Sequence, residues 1–495
     1  MSNNLPDVLK VQPLPSIDTM TIHTEVLDPI TITNTQAVFQ IPRTGILDGG
    51  SFLQLGATCV AGQEKCFFPL TTGVAAMIDS VQLKIGGQVV SSTEDFAHYH
   101  TLMRQFQTPE HRAEIGMVKE GACGDRFATN NGSAAANTGN GRIAYRDLAY
   151  DATGAVAEVP ALCRLTSSDA TTPLYSLKLS QLIPMMKSRQ LPLFAMKENV
   201  YLVINFNIQN STETRGIVAC FGDAEPTDAA NTITPSKVNI KFVSDHLYYT
   251  DETMNKTAAM IQSEGGLAFL YEDLILTTSQ VPAAAAPAAG AVTTQPVQRE
   301  VAVSGRVVRS LYISDKPQTY RSKILGEYVS KPPTTETQVN YRINDQRIYD
   351  RPLQSPSRKY HELALAAGRP LMCPNQLYSF DADANKSVVD FPLNQSSISN
   401  ATIDLHAPVA GLGAGDGGTG LGTSDFRGCS HYLGLDLSVN GMNQLGNGRL
   451  VGVKPIELDL TYQRTQHDFA ARTLRTYAMV ERTASIKNGE IMISA

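Results

Sequence analysis

The residues that could do chemistry fall in a few short stretches. Gly413-Ala414-Gly415-Asp416-Gly417-Gly418 spells GxGxxG. That pattern holds a dinucleotide when a strand precedes it and a helix follows, so that the helix N-terminus meets the phosphates. Here the flanks are more Gly, Thr and Ser, and no nucleotide site is expected. Cys429-Ser430-His431 sets a thiol, a hydroxyl and an imidazole side by side. Neighbours on a strand point to opposite faces, and no GxSxG elbow surrounds them, so this reads as a plain strand start. His98 and His100 lie two apart on a helical pattern, on different faces, which is poor geometry for one metal. His98 belongs at the boundary of the apolar face, packed or hydrogen-bonded. Asp381 and Asp383 suggest calcium, but their loop lacks the Gly and terminal Glu of an EF-hand and reads as solvated. No catalytic, cofactor-binding or metal-ligating residue is expected, and no cofactor.

Bulk properties narrow the class. A chain of 495 residues exceeds one ordinary core, which makes two domains the default. Hydrophobic content of 42% with 18% charged residues is globular. The net charge is -6, and Met1 to Gln12 carries no Lys/Arg-rich arm for non-specific nucleic-acid binding. Between Arg299 and Pro370, however, 13 Lys/Arg stand against 7 Asp/Glu. A solvated face or a subunit contact is the expectation there, with a weak inward contact to DNA as the minority reading. Seven cysteines without CxxC spacing point to free thiols in a reducing compartment. The N-terminus lacks the charged and apolar regions of a signal peptide, and no apolar run approaches the ~20 residues that span a bilayer.

The elements read mostly as strands. Phe39 and Ile41 alternate with Gln40, and Val81, Leu83 and Ile85 with Gln82 and Lys84, before a tight turn at Gly86-Gly87. A helix follows, with Thr93 as its cap and Phe96, Tyr99, Leu102, Met103 and Phe106 on one face. A strand pattern opens at Val238, and Thr250 caps a short helix carrying Asp251 and Glu252 in its first turn. Ile456, Leu458, Leu460 and Tyr462 form the cleanest amphipathic strand. Stretches 121–142, 281–296 and 411–428 have loop composition. Many short strands and few helices make an all-β chain of sandwiches or barrels.

The two halves also echo each other. Leu83-Lys84-Ile85-Gly86-Gly87-Gln88-Val89-Val90 parallels Tyr341-Arg342-Ile343-Asn344-Asp345-Gln346-Arg347-Ile348, and Tyr99-His100-Thr101-Leu102 parallels Tyr360-His361-Glu362-Leu363. Two matches in the same order suggest a duplicated unit. The expected division is an arm at 1–19, a first unit at 20–248, a linker helix at 249–265 and a second unit at 266–495.

At these residues the chain resembles the double jelly-roll major capsid proteins of virophages, polinton-like viruses and large eukaryotic DNA viruses. Phe39-Gln40-Ile41-Pro42-Arg43-Thr44-Gly45-Ile46-Leu47 is similar to a segment of that family's first jelly roll, with Ile46 where an Asp is expected. Ile85-Gly86-Gly87-Gln88 with the helix from Phe96 to Phe106 matches its turn, and Tyr248-Tyr249-Thr250-Asp251-Glu252 the end of that jelly roll. Met254-Asn255-Lys256 stands where large-virus members often carry arginines, and Trp is absent. The resemblance implies two tandem antiparallel jelly rolls and a structural, non-enzymatic protein. It implies a homotrimer that forms a pseudo-hexagonal capsomer and tiles an icosahedral shell around double-stranded DNA. The implied partners are neighbouring capsomers and penton and minor capsid proteins, with at most weak contact to packaged DNA and no small-molecule substrate. The implied place is the virion, assembled inside an infected cell. A two-domain carbohydrate-binding or adhesion protein is the alternative, and it should expose aromatic platforms.

Overall fold

The computed structural model describes residues 20–59, 66–68, 72–106, 116, 118–122, 165–188, 190–207, 219–220, 233–263, 266–288, 291–318, 338–368, 432–439, 445–464 and 469–494. The motifs at 413–418, 429–431 and 381–383, and the loop-like stretches at 123–142 and 411–428, lie outside the described residues.

In chain order the main elements of the first half are β1 (Met20–Leu27), β2 (Gln36–Ile41), β3 (Phe52–Leu55), β4 (Ile78–Ile85), β5 (Gln88–Thr93), α1 (Phe96–Gln105), β6 (Tyr175–Lys178), β7 (Val200–Phe206) and β8 (Lys241–Tyr249). Helix α2 (Asp251–Gln262) follows. The second half holds β9 (Leu267–Val281), β10 (Thr293–Val301), β11 (Val307–Pro317), β12 (Gln338–Ile343), β13 (Gln346–Arg347), α3 (Pro356–Ala366), β14 (Tyr432–Asp436), β15 (Ile456–Arg464), β16 (Arg472–Lys487) and β17 (Glu490–Ser494).

Each half carries two larger sheets, antiparallel throughout the described residues. In the first half the orders are β1-β8-β3-β6 and β2-β7-β4-β5. In the second they are β9-β16-β11-β14, with β17 added beside β16, and β10-β15-β12-β13. In both halves the opening strand pairs with a late strand: Met20 opposite Tyr249 through Leu27 opposite Phe242, and Leu267 opposite Ile486 through Val281 opposite Arg472. No sheet among the described residues mixes strands from before and after α2.

Alternation fixes which face is buried, because a strand's side chains change face at every residue. Ala37, Phe39 and Ile41 point inward from β2, and Val81, Leu83 and Ile85 from β4, into a first core with Leu53, Leu202 and Phe242. Ile456, Leu458, Leu460 and Tyr462 are buried at every second position of β15, in a second core with Leu311, Ile313, Tyr341 and Val480. Each such side chain contributes about 1.5–3 kcal/mol of transfer free energy.

Several local expectations need correction. Thr93 does not cap α1: it ends β5 opposite Val81, and its hydroxyl donates to the Leu182 carbonyl at 2.8 Å. Asp95, at φ 50, is the N-cap residue instead. Thr250 does occupy the cap position of α2, but its side chain makes no capping bond and meets the Thr253 hydroxyl at 3.1 Å. The strand expected from Val238 starts at Lys241, and Val238 is exposed. The stretch 281–296 is loop at its described residues 282–288 and 291–292, but its ends are strand, since β9 runs to Val281 and β10 starts at Thr293. Pairing with β15 carries β10 back into the last four residues of that stretch. Pro296 is tolerated because β10 is an edge strand, where a missing N–H breaks no ladder on the open side.

Candidate functional site at the seam between the halves

The repeat seen in the sequence is a structural unit: a hairpin followed by a helix. In the first half Ile85 faces Gln88 across Gly86 and Gly87, whose φ values are 58 and 97. The positive φ of Gly86 favours glycine there, and the Glu198 carboxylate lies over the space that a Cβ would take. In the second half Ile343 faces Gln346 across Asn344 and Asp345, with φ values of 51 and 67. Two positive φ values in a two-residue loop make the same turn, here from the residue types that tolerate it after glycine. Asn344 accepts a hydrogen bond from the Gly452 N–H at 3.2 Å, and Asp345 pairs with Lys454 at 2.5 Å.

The helices that follow these hairpins pack on the same sheet. Tyr99, Leu102 and Phe106 of α1 and Leu363 and Ala366 of α3 share one buried cluster with Tyr312, Tyr477 and Met479. Tyr99 stacks near Tyr477 at 5.7 Å and Phe106 near Tyr312 at 5.6 Å between ring centroids. The Tyr312 hydroxyl donates to the Ala366 carbonyl at 2.6 Å. Gly434 lets α3 lie on β14, since a Cβ there would come within 2.7 Å of the Leu363 Cα. The sheet β9-β16-β11-β14 is thus covered on both faces. Ala478 and Val480 of β16 enter the second core, while Tyr477 and Met479 between them meet the helices.

The same sheet extends into the other half. Tyr271 at the start of β9, and Ala484 and Ile486 near the end of β16, belong to the first core. Ile491 of β17 joins them. The turn between β16 and β17, Asn488 at φ 54 and Gly489 at φ 84, docks against the first half. There the Lys197 N–H donates to the Gly489 carbonyl at 3.0 Å, and the Asn488 N–H to the Ile261 carbonyl at 3.1 Å.

Charges line the seam. Asp95 lies 2.5 Å from His98 Nδ1 and 2.5 Å from Arg475 Nε, so one carboxylate ties α1 to β16. Burial would raise the Asp95 carboxyl, yet His98 and Arg475 hold it well below the usual carboxylate range. His98 is pushed down to about 4 by burial, against the pull of Asp95 and with the repulsion of Arg475 and Lys316. Further along, Ser91 donates to Asp273 at 2.8 Å, Arg482 reaches Asp273 at 3.0 Å, and the Tyr271 hydroxyl donates to the Val90 carbonyl at 3.0 Å. Glu272 pairs with Arg309 and with Lys187 of the first half. Removing one partner from such a buried pair typically costs about 3–5 kcal/mol, because it strands the other charge.

His100 points elsewhere, towards Glu120 at 3.5 Å, where Arg104 and Gln181 also converge. Burial opposes ionisation of Glu120, but His100, Arg104 and Gln181 bring its carboxyl down to about 2. His98 and His100 therefore serve two separate carboxylates, as their helical spacing requires. Among the described residues no group of three or more His, Cys, Asp or Glu could hold a metal. No described helix is long and apolar enough to cross a membrane. In the described part of the basic stretch three arginines are engaged internally: Arg309 with Glu272, Arg342 with Asp459 and Glu457, and Arg299 with the Gln280 carbonyl. Asp95, Asp273, Glu272 and Arg475 carried no sequence signal, because their partners across the seam are remote in the chain.

No protein-family model matches the sequence, and no curated protein does. Solved structures do. A chain from the PBCV-1 virus capsid matches over 98% of this chain and 99% of its own, at 12% identity and a TM-score of 0.53. A chain of the Sputnik virophage matches over 100% and 92%, at 13% identity and a TM-score of 0.50. The mavirus major capsid protein matches over 100% and 93%, at 11% identity and a TM-score of 0.50. Identities this low speak to the fold, and the paired sheets, the repeated hairpin–helix units and the full-length overlap agree on it. This chain has the double jelly-roll fold of the viral major capsid proteins.

Proposed function

We propose that this chain is a major capsid protein, a structural rather than catalytic molecule of the virion. Its two jelly rolls span 20–248 and 266–495, joined by the helix region 249–265. Three copies form a capsomer with six barrels, and these tiles pack beside one another and beside penton and minor proteins on an icosahedral shell around double-stranded DNA. The observation that carries this reading is the full-length likeness to capsid proteins combined with a repeated hairpin–helix unit. Duplication makes a nearly hexagonal tile out of three chains, which a single sandwich cannot do. Contact with DNA is weak at most, and Arg309 and Arg342 of the basic stretch are paired with carboxylates within the chain.

Native mass spectrometry of the purified chain, followed by electron microscopy of particles, tests the proposal. A trimer near three times 53.5 kDa is expected, with three-fold capsomers on the particles. A stable monomer at every concentration, with no trimeric tile in any particle, refutes it.

A further inference from the structure

The two sheets of the first half are joined by a ladder of short strands. Chain leaving β3 forms Ala57–Cys59 and then Cys66–Phe67 before it enters β4. Chain leaving β7 forms Ala219–Cys220 and then Ile233–Pro235 before it enters β8. These pieces pair in antiparallel order: Ala57 opposite Pro235 and Cys59 opposite Ile233, then Cys66 opposite Cys220 and Phe67 opposite Ala219. At the far end Phe206 faces Ile78, and the Asn207 N–H donates to the Met77 carbonyl at 2.7 Å. Strands β3 and β8 belong to one sheet, β4 and β7 to the other. The ladder therefore follows both crossovers from sheet to sheet.

Two cysteines, one from each crossover, are thus register partners. Partners in an antiparallel ladder share a face and stand about 4.5–5.5 Å apart at Cα. A disulfide spans roughly 4.4–6.8 Å between Cα atoms. The register sets Cys66 and Cys220 at bonding separation in either kind of antiparallel site. Cys59, the nearest described thiol in sequence, is placed differently: it faces Ile233 and donates to the Leu165 carbonyl at 3.6 Å. A bond at this point has a mechanical effect. A ladder of two residues per strand is marginal by itself. Phe68, next to it, is buried in the first core with its ring 5.8 Å from that of Tyr175. A link from Cys66 to Cys220 would fasten the returning strand to that anchor.

We propose that Cys66 and Cys220 are a redox-sensitive crosslink site: two thiols while the chain is in a reducing cell, one disulfide once it reaches oxidising surroundings. The change of surroundings rests on the capsid reading above, in which the chain leaves the cell in a particle; the bond itself rests on register alone. The oxidant is a small disulfide such as oxidised glutathione. One cysteine thiolate attacks it and releases one small thiolate. The second cysteine thiolate attacks the mixed disulfide and releases the other. The cysteines pass two electrons to the small disulfide, and their two protons end on the two small thiols. The closed loop contains β4, β5, α1, β6 and β7, so the bond restricts the unfolded chain across most of the first jelly roll. Return to a reducing cell reverses the exchange and loosens the crossovers.

The test uses the full chain, prepared without oxidant and then held with oxidised glutathione. Before the oxidant all seven cysteines should alkylate in denaturant. Afterwards two fewer should, and peptide mass spectrometry should find Cys66 joined to Cys220. The melting temperature should rise by about 5–10 °C and fall back with dithiothreitol. Cys66→Ser and Cys220→Ser should melt like the reduced wild type and show no rise with oxidant. No link at any glutathione ratio, either cysteine bonded to a different one or held only as the glutathione adduct, or a rise that both variants keep, overturns the inference. Native mass spectrometry of the same samples separates the two readings: trimers without the link sink the crosslink alone, and the link without trimers sinks the capsid reading alone.

Discussion

Acid should loosen the seam, and His98 sets the amount. An unfolded histidine takes up its proton near pH 6.5, whereas folded His98 does so only at about 4, because burial and the cations Arg475 and Lys316 outweigh Asp95. The unfolded chain therefore binds more protons throughout that interval, and stability falls as pH drops from 6.5 to 4. At 1.36 kcal/mol per pH unit the full effect is about 3 kcal/mol, of which about 2–3 should be visible by pH 4.5. Asp95 acts in a lower range: its folded carboxyl is depressed, so its contribution is complete above 3.8 and is lost only below that value. His246 is also held down by burial, but it is present in both proteins to be compared. Urea unfolding of the wild type and His98→Gln, from pH 7.5 to 4.5, isolates the term, because Gln can still donate to Asp95 and does not titrate. The wild type should lose about 2–3 kcal/mol more than the variant. Parallel profiles, or a wild type that gains stability on acidification, refute the reasoning.

Two further outcomes follow from the packing. Leu102→Ala, at a fully buried site in the seam cluster, should destabilise by about 2–5 kcal/mol in thermal or urea unfolding, and Leu363→Ala on the other helix by a similar amount. Made together they should depart from additivity, since both line one cluster; strict additivity counts against a shared seam. In protein kept from oxidant all seven cysteines should react with a thiol reagent after denaturation without reductant. Cys66 and Cys220 are register partners in a short strand pair, so mass spectrometry that finds them linked before any oxidant is added would contradict this.

The sequence was most legible where one strand face meets one core. Ile456 to Tyr462 and Val81 to Ile85 alternate because water lies on one side of the sheet and packed side chains on the other. The hairpin–helix repeat was legible too, since a two-residue turn demands particular residue types. Composition misled where pairing is remote. Nothing local in 293–296 reveals that β10 will be zipped to a strand that begins at Ile456. Thr93 looked like a cap because threonine caps helices, but the ladder with Val81 claims it first. The seam was illegible for the same reason in its strongest form: Asp95 and Arg475 are 380 positions apart, and neither residue type announces a partner at that range.

The sharing of β9 and β16 between the two cores has a consequence for how the chain is made. The first core is incomplete until Tyr271, Ala484, Ile486 and Ile491 arrive. A ribosome adding about 5–20 residues per second needs roughly ten seconds or more to travel from the end of β8 to that last group. Throughout that interval a nascent first half leaves part of its apolar interior open, and its hairpin–helix unit has no sheet to rest on. Neighbouring nascent chains on one message would expose the same surfaces at the same moment. Encounters between them are premature until β16 is in place, so the strand that joins the two cores also times when a copy becomes fit to meet another.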